Sequence, residues 1–173
     1  MPPLGRDFER FFRRDFPLLA QHLKVLGYER QLAEDAAQEA MIMALQHWGD
    51  ITEPRAWVRV AGKRIAQRLY ENGQAERDRL HRAAISQRPL AGHAPDPHHY
   101  VQHQAEQDAV ADALRLLPLR QREVMAWHLD GFTTAEISGY TDCAGATVRS
   151  NFRHAREQLK RILGMGDEEG GDK

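Results

Sequence analysis

Helical segments separated by turn residues fill the second half of the chain, and the last of them is basic. Gly131 ends one predicted helix, and a break at 141–144 separates the next helix, 134–140, from a longer one at 145–163. Apolar side chains recur at helical spacing through the longer helix, which indicates that one face is buried. Two helices joined by a tight turn, with the second helix basic, are typical of a helix-turn-helix.

The charge of this last predicted helix differs from that of the whole chain. The formal net charge is -1, yet the basic residues between 147 and 163 outnumber the one acid there, Glu157. Local charge rather than the total acts on a phosphate backbone. An ordinary solvated helix face is the alternative interpretation. Candidate DNA contacts lie on or near the face opposite the apolar stripe: Thr147, Arg149, Ser150, Arg153 and Arg156.

Helical periodicity also dominates the first half of the chain, and no alternating strand pattern is evident. Apolar residues follow helical spacing over 7–26 and 31–48, and Pro54 suits the first turn of a third helix. Prolines and glycines among polar residues then indicate an irregular connection. We therefore expect an all-α fold with two small helical domains, 5–86 and 105–164, a flexible linker at 87–104 and a disordered acidic tail at 165–173.

The number of cysteines and the distribution of apolar residues indicate in which cellular compartment the protein is expected. Cys143 is the single cysteine, so no intramolecular disulfide can form and a reducing compartment is favoured. No apolar run reaches the ~20 residues that a membrane-spanning helix needs, and the charged N-terminus does not resemble a signal peptide. We expect a cytoplasmic protein without membrane insertion.

Features of an enzyme are missing from the sequence. There is no phosphate-binding glycine loop and no Ser-His-Asp pattern, so neither catalytic residues nor a cofactor is predicted. His99 and His103 would share a face if their segment were helical, but no cysteine or carboxylate completes a metal site there. We therefore predict no metal site and expect the function to be binding.

The second helical block contains short motifs in a fixed order. They are L-P-x-R-Q-R-E-V at 117–124, glycine at 131, T-x-x-E-I at 133–137, T-V-R-S at 147–150 and A-R-x-x-L at 155–159. This series resembles region 4 of the sigma-70 family of RNA polymerase sigma factors, of the small extracytoplasmic-function (ECF) type. The resemblance implies that the helix-turn-helix reads the -35 promoter element.

The turn of the motif departs from the family pattern. Thr141 and Asp142 stand where the family has Leu-Gly, and Ala144 replaces the usual capping serine. Aspartate adopts the left-handed conformation less readily than glycine, and a lost cap costs ~1 kcal/mol. We expect a less regular turn that keeps the DNA-facing residues in place.

Two strings in the first half resemble region 2 of the same family. The first, AEDAAQE at 33–39, is similar to A-E-D-x-x-Q-E, which in the family docks on the clamp helices of the polymerase largest subunit. Without the resemblance, the pattern would also fit an acidic solvent-facing surface. The implied polymerase-binding residues are Glu34, Asp35, Gln38 and Glu39.

The second string, PRAWVRVA at 54–61, is similar to A-W-L-x-x-V-A, which leads into -10 recognition in the family. Basic side chains here would follow the phosphates of an opened strand. Lys63, Gln67 and Tyr70 replace the family's Asn, Asp and Arg, so the departures fall where -10 readout and core packing meet. The implied -10 contacts are Arg55, Trp57, Arg59, Lys63, Arg64, Gln67 and Arg68.

Together these resemblances imply a sigma factor whose partners are core RNA polymerase and promoter DNA, and they allow an anti-sigma factor as a third. A helix-turn-helix regulator with an N-terminal dimerisation or sensing module is one alternative, which the strings at 33–39 and 54–61 disfavour. The other alternative is a sigma-like protein that binds partners without starting transcription. The departures at Lys63, Gln67 and Tyr70 leave that second alternative open.

Overall fold

The computed structural model describes residues 4–84 and 111–164, and within these ranges every regular element is an α-helix. The all-α expectation is confirmed. The expected linker and acidic tail, like His99 and His103, lie outside the described residues. The helices are α1 (Leu4–Val25), α2 (Arg30–Gln46), α3 (Pro54–Ala84), α4 (helical at 111–115), α5 (Leu119–Leu129), α6 (Thr134–Tyr140) and α7 (Gly145–Ile162).

Glycines follow the ends of α1 and α5. Gly27 has φ +106° and Gly131 has φ +84°, values in the left-handed region that favour glycine after a helix. Past each glycine the chain turns back and bonds to its helix. The Tyr28 amide donates to the carbonyl of residue 23 at 3.2 Å, and the Phe132 amide donates to that of residue 127 at 3.2 Å. Both helices therefore end sharply, α5 just before Gly131 as predicted and α1 one residue before the end of its predicted apolar pattern at 26.

Small residues on α2 allow α1 and α3 to pack closely against it. Its alanines at 33, 36, 37, 40 and 44 are all fully buried. The helices α1 and α3 also contact each other at Gly62, where an added Cβ would lie 3.2 Å from Leu19 Cδ1 and 3.5 Å from Leu23 Cδ1. Glycine within a helix costs up to ~1 kcal/mol relative to alanine. At Gly62 that cost is the consequence of close helix packing.

The ends of three helices are exposed to solvent. α3 continues beyond Gly73 to Ala84, and its charged last third is exposed. Ile162, at the end of the apolar stripe of α7, is 40% exposed, and Leu129 of α5 is 57% exposed. Each of these is the last residue of its helix, where fewer neighbouring side chains are available to cover it.

The two helical halves pack directly against each other. Leu19 and Leu23 of α1 belong to the same core cluster as Leu114 and Leu117 from the second half. A second cluster unites Ala56 of α3 with residues of α5, α6, α7 and the segment between α5 and α6: Val124, Trp127, Phe132, Ile137 and Val148. The helix α3 and the helix-turn-helix therefore share one apolar core.

Candidate nucleic-acid interface

A capping box fixes the start of α6. The Glu136 amide donates to Thr133 Oγ1 at 3.3 Å, and the Thr133 amide donates to Glu136 Oε2 at 2.7 Å. The backbone and side-chain hydrogen bonds from Thr133 lower the pKa of the Glu136 carboxyl. A negative charge in the first turn also suits the helix dipole. Thr133 is therefore the N-cap of α6.

The turn between α6 and α7 is closed by side chains rather than by glycine. Asp142 has φ +50°, so it adopts the left-handed conformation that the family assigns to glycine. Ser138 Oγ donates to the Cys143 carbonyl at 2.6 Å, and Thr141 Oγ1 donates to the Ile137 carbonyl at 2.7 Å. Ala144 is the N-cap of α7 and makes no side-chain cap bond. The expected irregular turn is therefore present and held by two hydroxyl groups.

The helix α7 turns one face inward and a basic face to solvent. Val148 and Ala155 are fully buried. Arg156 lies with its guanidinium carbon 5.8 Å from the centre of the half-buried Phe152 ring. Within the described residues, Arg149 and Arg153 form no ion pair, so their charges are available to a ligand. Of the predicted -35 contacts, Ser150 is half-buried and the others are exposed: Thr147, Arg149, Arg153 and Arg156.

The acidic strip lies on α2 opposite the buried alanines. Glu34 accepts a hydrogen bond from Arg30 Nε at 3.0 Å, and Asp35 accepts one from the Gln31 amide group at 2.9 Å. Its other two members are the exposed Gln38 and the half-buried Glu39. Glu39 pairs with Arg68 of α3, so a predicted polymerase contact and a predicted -10 contact bind each other here.

An apolar groove borders this strip, and no pattern in the sequence singled it out. It lies between α1 and α2 and is open to solvent. Exposed large apolar side chains often mark a protein interaction site. Phe12 is 36% exposed, and Ile42 and Leu45 are each 50% exposed. The groove is lined by Phe8, Glu9, Phe12, Phe16, Gln38, Met41, Ile42 and Leu45.

The predicted -10 residues on α3 fall into two groups. Arg64, Gln67 and Arg68 are exposed, and Gln67 accepts a hydrogen bond from Tyr28 Oη at 3.0 Å. Trp57 is half-buried in the first half of the chain. The remaining residues, Arg55, Arg59 and Lys63, face the second half of the chain and are bonded to it.

Asp130, directly after α5, is the centre of these bonds. Its Oδ2 accepts from Arg59 Nε at 2.6 Å and lies 2.6 Å from His22 Nδ1, while its carbonyl accepts from Arg55 Nη2 at 2.5 Å. The Arg59 side chain is fully buried, and its Nη1 lies 3.8 Å from Oδ1 of the equally buried Asp15. A buried charge of this kind requires close partners.

The electrostatic surroundings keep Asp130 ionised. Burial alone would raise its pKa, but hydrogen bonds and charges from His22 and Arg59 outweigh burial and hold the pKa below its ordinary value. The Phe132 ring completes the site, because the guanidinium carbons of Arg55 and Arg59 lie 5.0 Å and 5.4 Å from its centre. Cations at such distances from an aromatic face are attracted to it.

Further polar contacts join the two halves on either side of Asp130. Lys63 pairs with the buried Glu123 of α5. Arg122 Nη1 donates to the Leu26 carbonyl at 3.1 Å, and burial together with the charge of Arg115 lowers the pKa of Arg122. None of these acceptors was predicted as part of a site. Asp130 belongs to no sequence motif, and the motif at 117–124 that contains Glu123 gives no indication of its partner on α3.

A family model described as "Sigma-70, region 4" matches residues 107–159. The chain is also similar to the ECF RNA polymerase sigma factor SigM of Mycobacterium tuberculosis, found in two strains. Identity is 31% over 162 residues, which cover 91% of this chain and 77% of SigM. No helix within the described ranges is long and apolar enough to cross a membrane.

Two solved structures share the fold over 94% of this chain. One is the sigma factor RpoE in complex with the anti-sigma factor NepR from Bartonella quintana, with a TM-score of 0.64, 22% identity and 99% of that chain covered. The other is CnrH in complex with the cytosolic domain of CnrY, with a TM-score of 0.62, 22% identity and 90% of that chain covered. At this level of identity the likeness supports the fold alone.

Proposed function

Because this chain belongs to the ECF RNA polymerase sigma factors, which bind core polymerase and direct promoter-specific initiation, we propose how its helices divide that task. The helix α7 reads the -35 duplex, α3 engages the opened -10 strand, and the α2 strip docks on polymerase. The polymerase performs the chemistry, and the sigma factor supplies position and strand capture in the cytoplasm.

The observation that carries this proposal is the exposed basic face of α7. Arg149 and Arg153 are four residues apart, so they share a face on adjacent turns. The N-terminal residues of a recognition helix point at base edges in a groove ~12 Å wide. Thr147 and Arg149 lie in that first part of α7, while Arg156 lies one turn beyond Arg153 and suits a phosphate contact.

For the -10 strand, the exposed part of α3 is the basis of the proposal. Arg64 and Arg68 supply positive charge on adjacent turns of the helix, with Gln67 beside them. Such a surface suits the phosphates of a single strand, and Trp57 supplies an aromatic ring for base stacking. Arg55, Arg59 and Lys63 join this contact when the second half of the chain releases them.

Polymerase docking is supported by the strip on α2 and by the groove beside it. Gln38 belongs to both, so an incoming helix would meet polar groups on one side and the apolar side chains of Ile42 and Leu45 on the other. We expect Ile42→Ser to weaken polymerase binding about tenfold, since burying such a side chain contributes ~1.5–3 kcal/mol. Leu80→Ser, at an exposed position of α3, is the matched control.

The bounds of the two domains, 5–86 and 105–164, form part of the proposal. The proposed linker at 87–104 takes the place of a middle domain, and the proposed tail at 165–173 follows the helix-turn-helix domain in the sequence. An anti-sigma factor is also proposed as a partner, because RpoE was solved in complex with the anti-sigma factor NepR.

Duplex binding tests the division of labour between the halves. The probe is a genomic duplex fragment recovered with the chain and core polymerase. Arg149→Ala with Arg153→Ala should weaken its binding at least roughly thirtyfold, from ~1 kcal/mol or more per bidentate contact, without changing polymerase affinity. Lys160→Ala with Arg161→Ala removes the same charge from the last turn of α7 and should cost only a few-fold. An equal loss of polymerase affinity in the first variant would contradict the proposal.

A further inference from the structure

We infer that His128 of α5 is a positioning residue of the -35 interface, and that it acts on DNA through the Phe152 ring and the Arg156 guanidinium of α7. In this arrangement the histidine does not contact the duplex, but it determines how the phosphate-binding arginine is presented. The inference rests on the proposed function of α7. It adds a residue of α5 to the groups on which -35 binding depends.

The three side chains contact one another in sequence where α5 and α7 pack together. The His128 and Phe152 ring centres lie 4.0 Å apart, with an angle of 37° between the ring planes. The Arg156 guanidinium carbon lies 5.8 Å from the centre of the same phenylalanine ring, within the ~6 Å over which an aromatic face attracts a cation. Phe152 and Arg156 are four residues apart, so they lie on adjacent turns of one helix face. Displacement of the His128 ring would therefore reach Arg156 through one intervening ring.

The Phe152 ring is fixed by its surroundings. It is half-buried and packs against both core clusters, the one that contains Ala155 and the one that contains Val148. His128 directly follows the buried Trp127 on α5, so its backbone belongs to the same packed region. Side chains in such interiors are held in defined rotamers by their neighbours. The stack of His128, Phe152 and Arg156 thus has a rigid base.

Packing alone does not favour histidine at position 128. Its Nε2 atom is buried and has no hydrogen-bond partner among the described residues. A buried polar atom without a partner is destabilising and calls for an explanation other than packing. Burial also lowers the pKa of His128, which keeps the imidazole neutral at neutral pH. A neutral ring can lie against Phe152 without repelling the guanidinium of Arg156.

Ordering Arg156 before DNA arrives strengthens its contact with a phosphate. A free arginine side chain loses rotamer freedom when it is immobilised at an interface, and that loss reduces affinity. A guanidinium already held against the Phe152 ring loses less of this freedom. Within the described part of the chain, no aromatic ring holds Arg149 or Arg153 in this way. The stack therefore singles out Arg156, the arginine proposed for a phosphate contact.

A double-mutant cycle in the full chain tests the inference. The probe is the genomic duplex fragment described above, labelled with fluorescein and titrated at several KCl concentrations. Arg156→Ala should weaken binding about fivefold and reduce the slope of log affinity against log salt by about 0.9, the value for one phosphate contact. His128→Ala should weaken binding about threefold, with a smaller slope, and should cause no further loss when Arg156 is already alanine.

Two further variants separate positioning from stability. His128→Phe keeps an aromatic ring against Phe152 and removes the unpaired nitrogen, so its duplex affinity should stay within about twofold of wild type. A loss as large as that of His128→Ala would contradict a role for the ring. The matched control, His81→Ala, removes an exposed imidazole from the last third of α3 and should change neither affinity nor salt slope.

An equal loss from His128→Ala with and without the Arg156 side chain would overturn the inference, because the histidine would then act independently of the arginine. Unchanged affinity of His128→Ala in the wild-type background would overturn it as well. Should His128→Ala fail to fold by circular dichroism, His128→Leu provides the test because it keeps apolar volume at this position. It should weaken binding about twofold only when Arg156 is present, and no loss would count against the positioning role.

Failure of the proposed function of α7 is distinguishable from failure of this inference. If Arg149→Ala with Arg153→Ala leaves duplex binding intact, α7 does not read the -35 element. Loss of binding in that variant, together with independent effects of His128→Ala and Arg156→Ala, would reject the positioning role of His128 and leave the -35 role of α7 intact.

Discussion

Arg59 of α3 and Asp130 after α5 meet across the two halves of the chain, with Nε 2.6 Å from Oδ2 and the arginine side chain fully buried. Arg59 is also one of the residues that resemblance assigns to the -10 strand. A side chain cannot be buried between two helical halves and bound to DNA at the same time. The proposed -10 contact of Arg59 therefore requires this pair to break first.

Removing the carboxylate should destabilise the packed arrangement. Asp130→Ala leaves the buried Arg59 with only the more distant Asp15, at 3.8 Å, as a carboxylate partner, and breaking a buried pair costs about 3–5 kcal/mol when the site stays closed. Separation of the halves limits that cost, so we expect a lower free energy of unfolding and a larger radius of gyration. Asp112→Ala breaks an exposed pair with Arg115 and should cost less than ~1 kcal/mol. Equal losses in urea titrations of the two variants would show that the burial of Asp130 has no special importance.

Acid should weaken the same contact. The pKa of Asp130 is held below its ordinary value of 3.8, so its contribution to stability is fully present above that value. The contribution is lost as pH falls through the lower pKa of the folded protein. Burial also lowers the pKa of His128, which adds a separate loss on acidification.

Comparison with Asp130→Asn isolates the part due to Asp130. The unfolding free energies of both proteins, from urea titrations across the acid range, should converge as pH falls below about 4. The wild type loses the stabilisation by ionised Asp130 there, which the variant lacks at every pH. A constant difference in unfolding free energy down to the lowest pH would mean that Asp130 does not titrate with folding.

Two glycines of α3 should respond oppositely to alanine. At Gly73 an added Cβ meets only Arg77 Nη2 at 3.9 Å, so Gly73→Ala should stabilise the protein by ~0.5–1 kcal/mol through helix propensity. At Gly62 the new Cβ would lie 3.2 Å from Leu19, which is fully buried and has little room to move. Overpacking costs ~1–3 kcal/mol, so Gly62→Ala should destabilise by about 1 kcal/mol. Thermal unfolding of both variants checks this, and stabilisation at Gly62 would refute the close packing of α1 and α3.

Removing the N-cap of α6 should destabilise the protein. Thr133→Ala removes one half of the capping box and should destabilise the second half of the chain by ~1 kcal/mol. Thr134→Ala alters a neighbouring threonine that does not cap the helix and should have a smaller effect. Chemical denaturation followed by circular dichroism measures both, and a larger loss at Thr134 would reassign the cap.

Local features of this fold were predictable where one short segment determines them. The helix at 134–140 was predicted with the observed bounds, and Gly27 and Gly131 mark helix ends because only their own backbone angles are involved. The irregular turn at Asp142 was predictable for the same reason, because it depends on the residues of the turn itself. Contacts between distant segments were not predictable, since His22 and Asp130 lie 108 positions apart and neither belongs to a periodic pattern.

In the candidate site, too, local features were predictable from the sequence and contacts between distant segments were not. The exposed face of α7 follows from helical spacing, because Val148 and Ala155 fix which side is buried. The burial of Arg59 does not follow, since a basic residue on a basic helix face has the same sequence pattern whether it meets solvent or an acid. The groove at Ile42 and Leu45 was missed because apolar residues on a helix usually indicate core.

Run-off transcription tests the central claim most directly. Purified core polymerase is combined with the full chain on fragments of genomic DNA, and transcripts are mapped to their start sites. We expect discrete starts that depend on the chain, disappear with Arg149→Ala plus Arg153→Ala, and persist with Lys160→Ala plus Arg161→Ala. Stable binding to polymerase without any chain-dependent start would contradict the account and identify a sigma-like protein that binds its partners without initiating transcription.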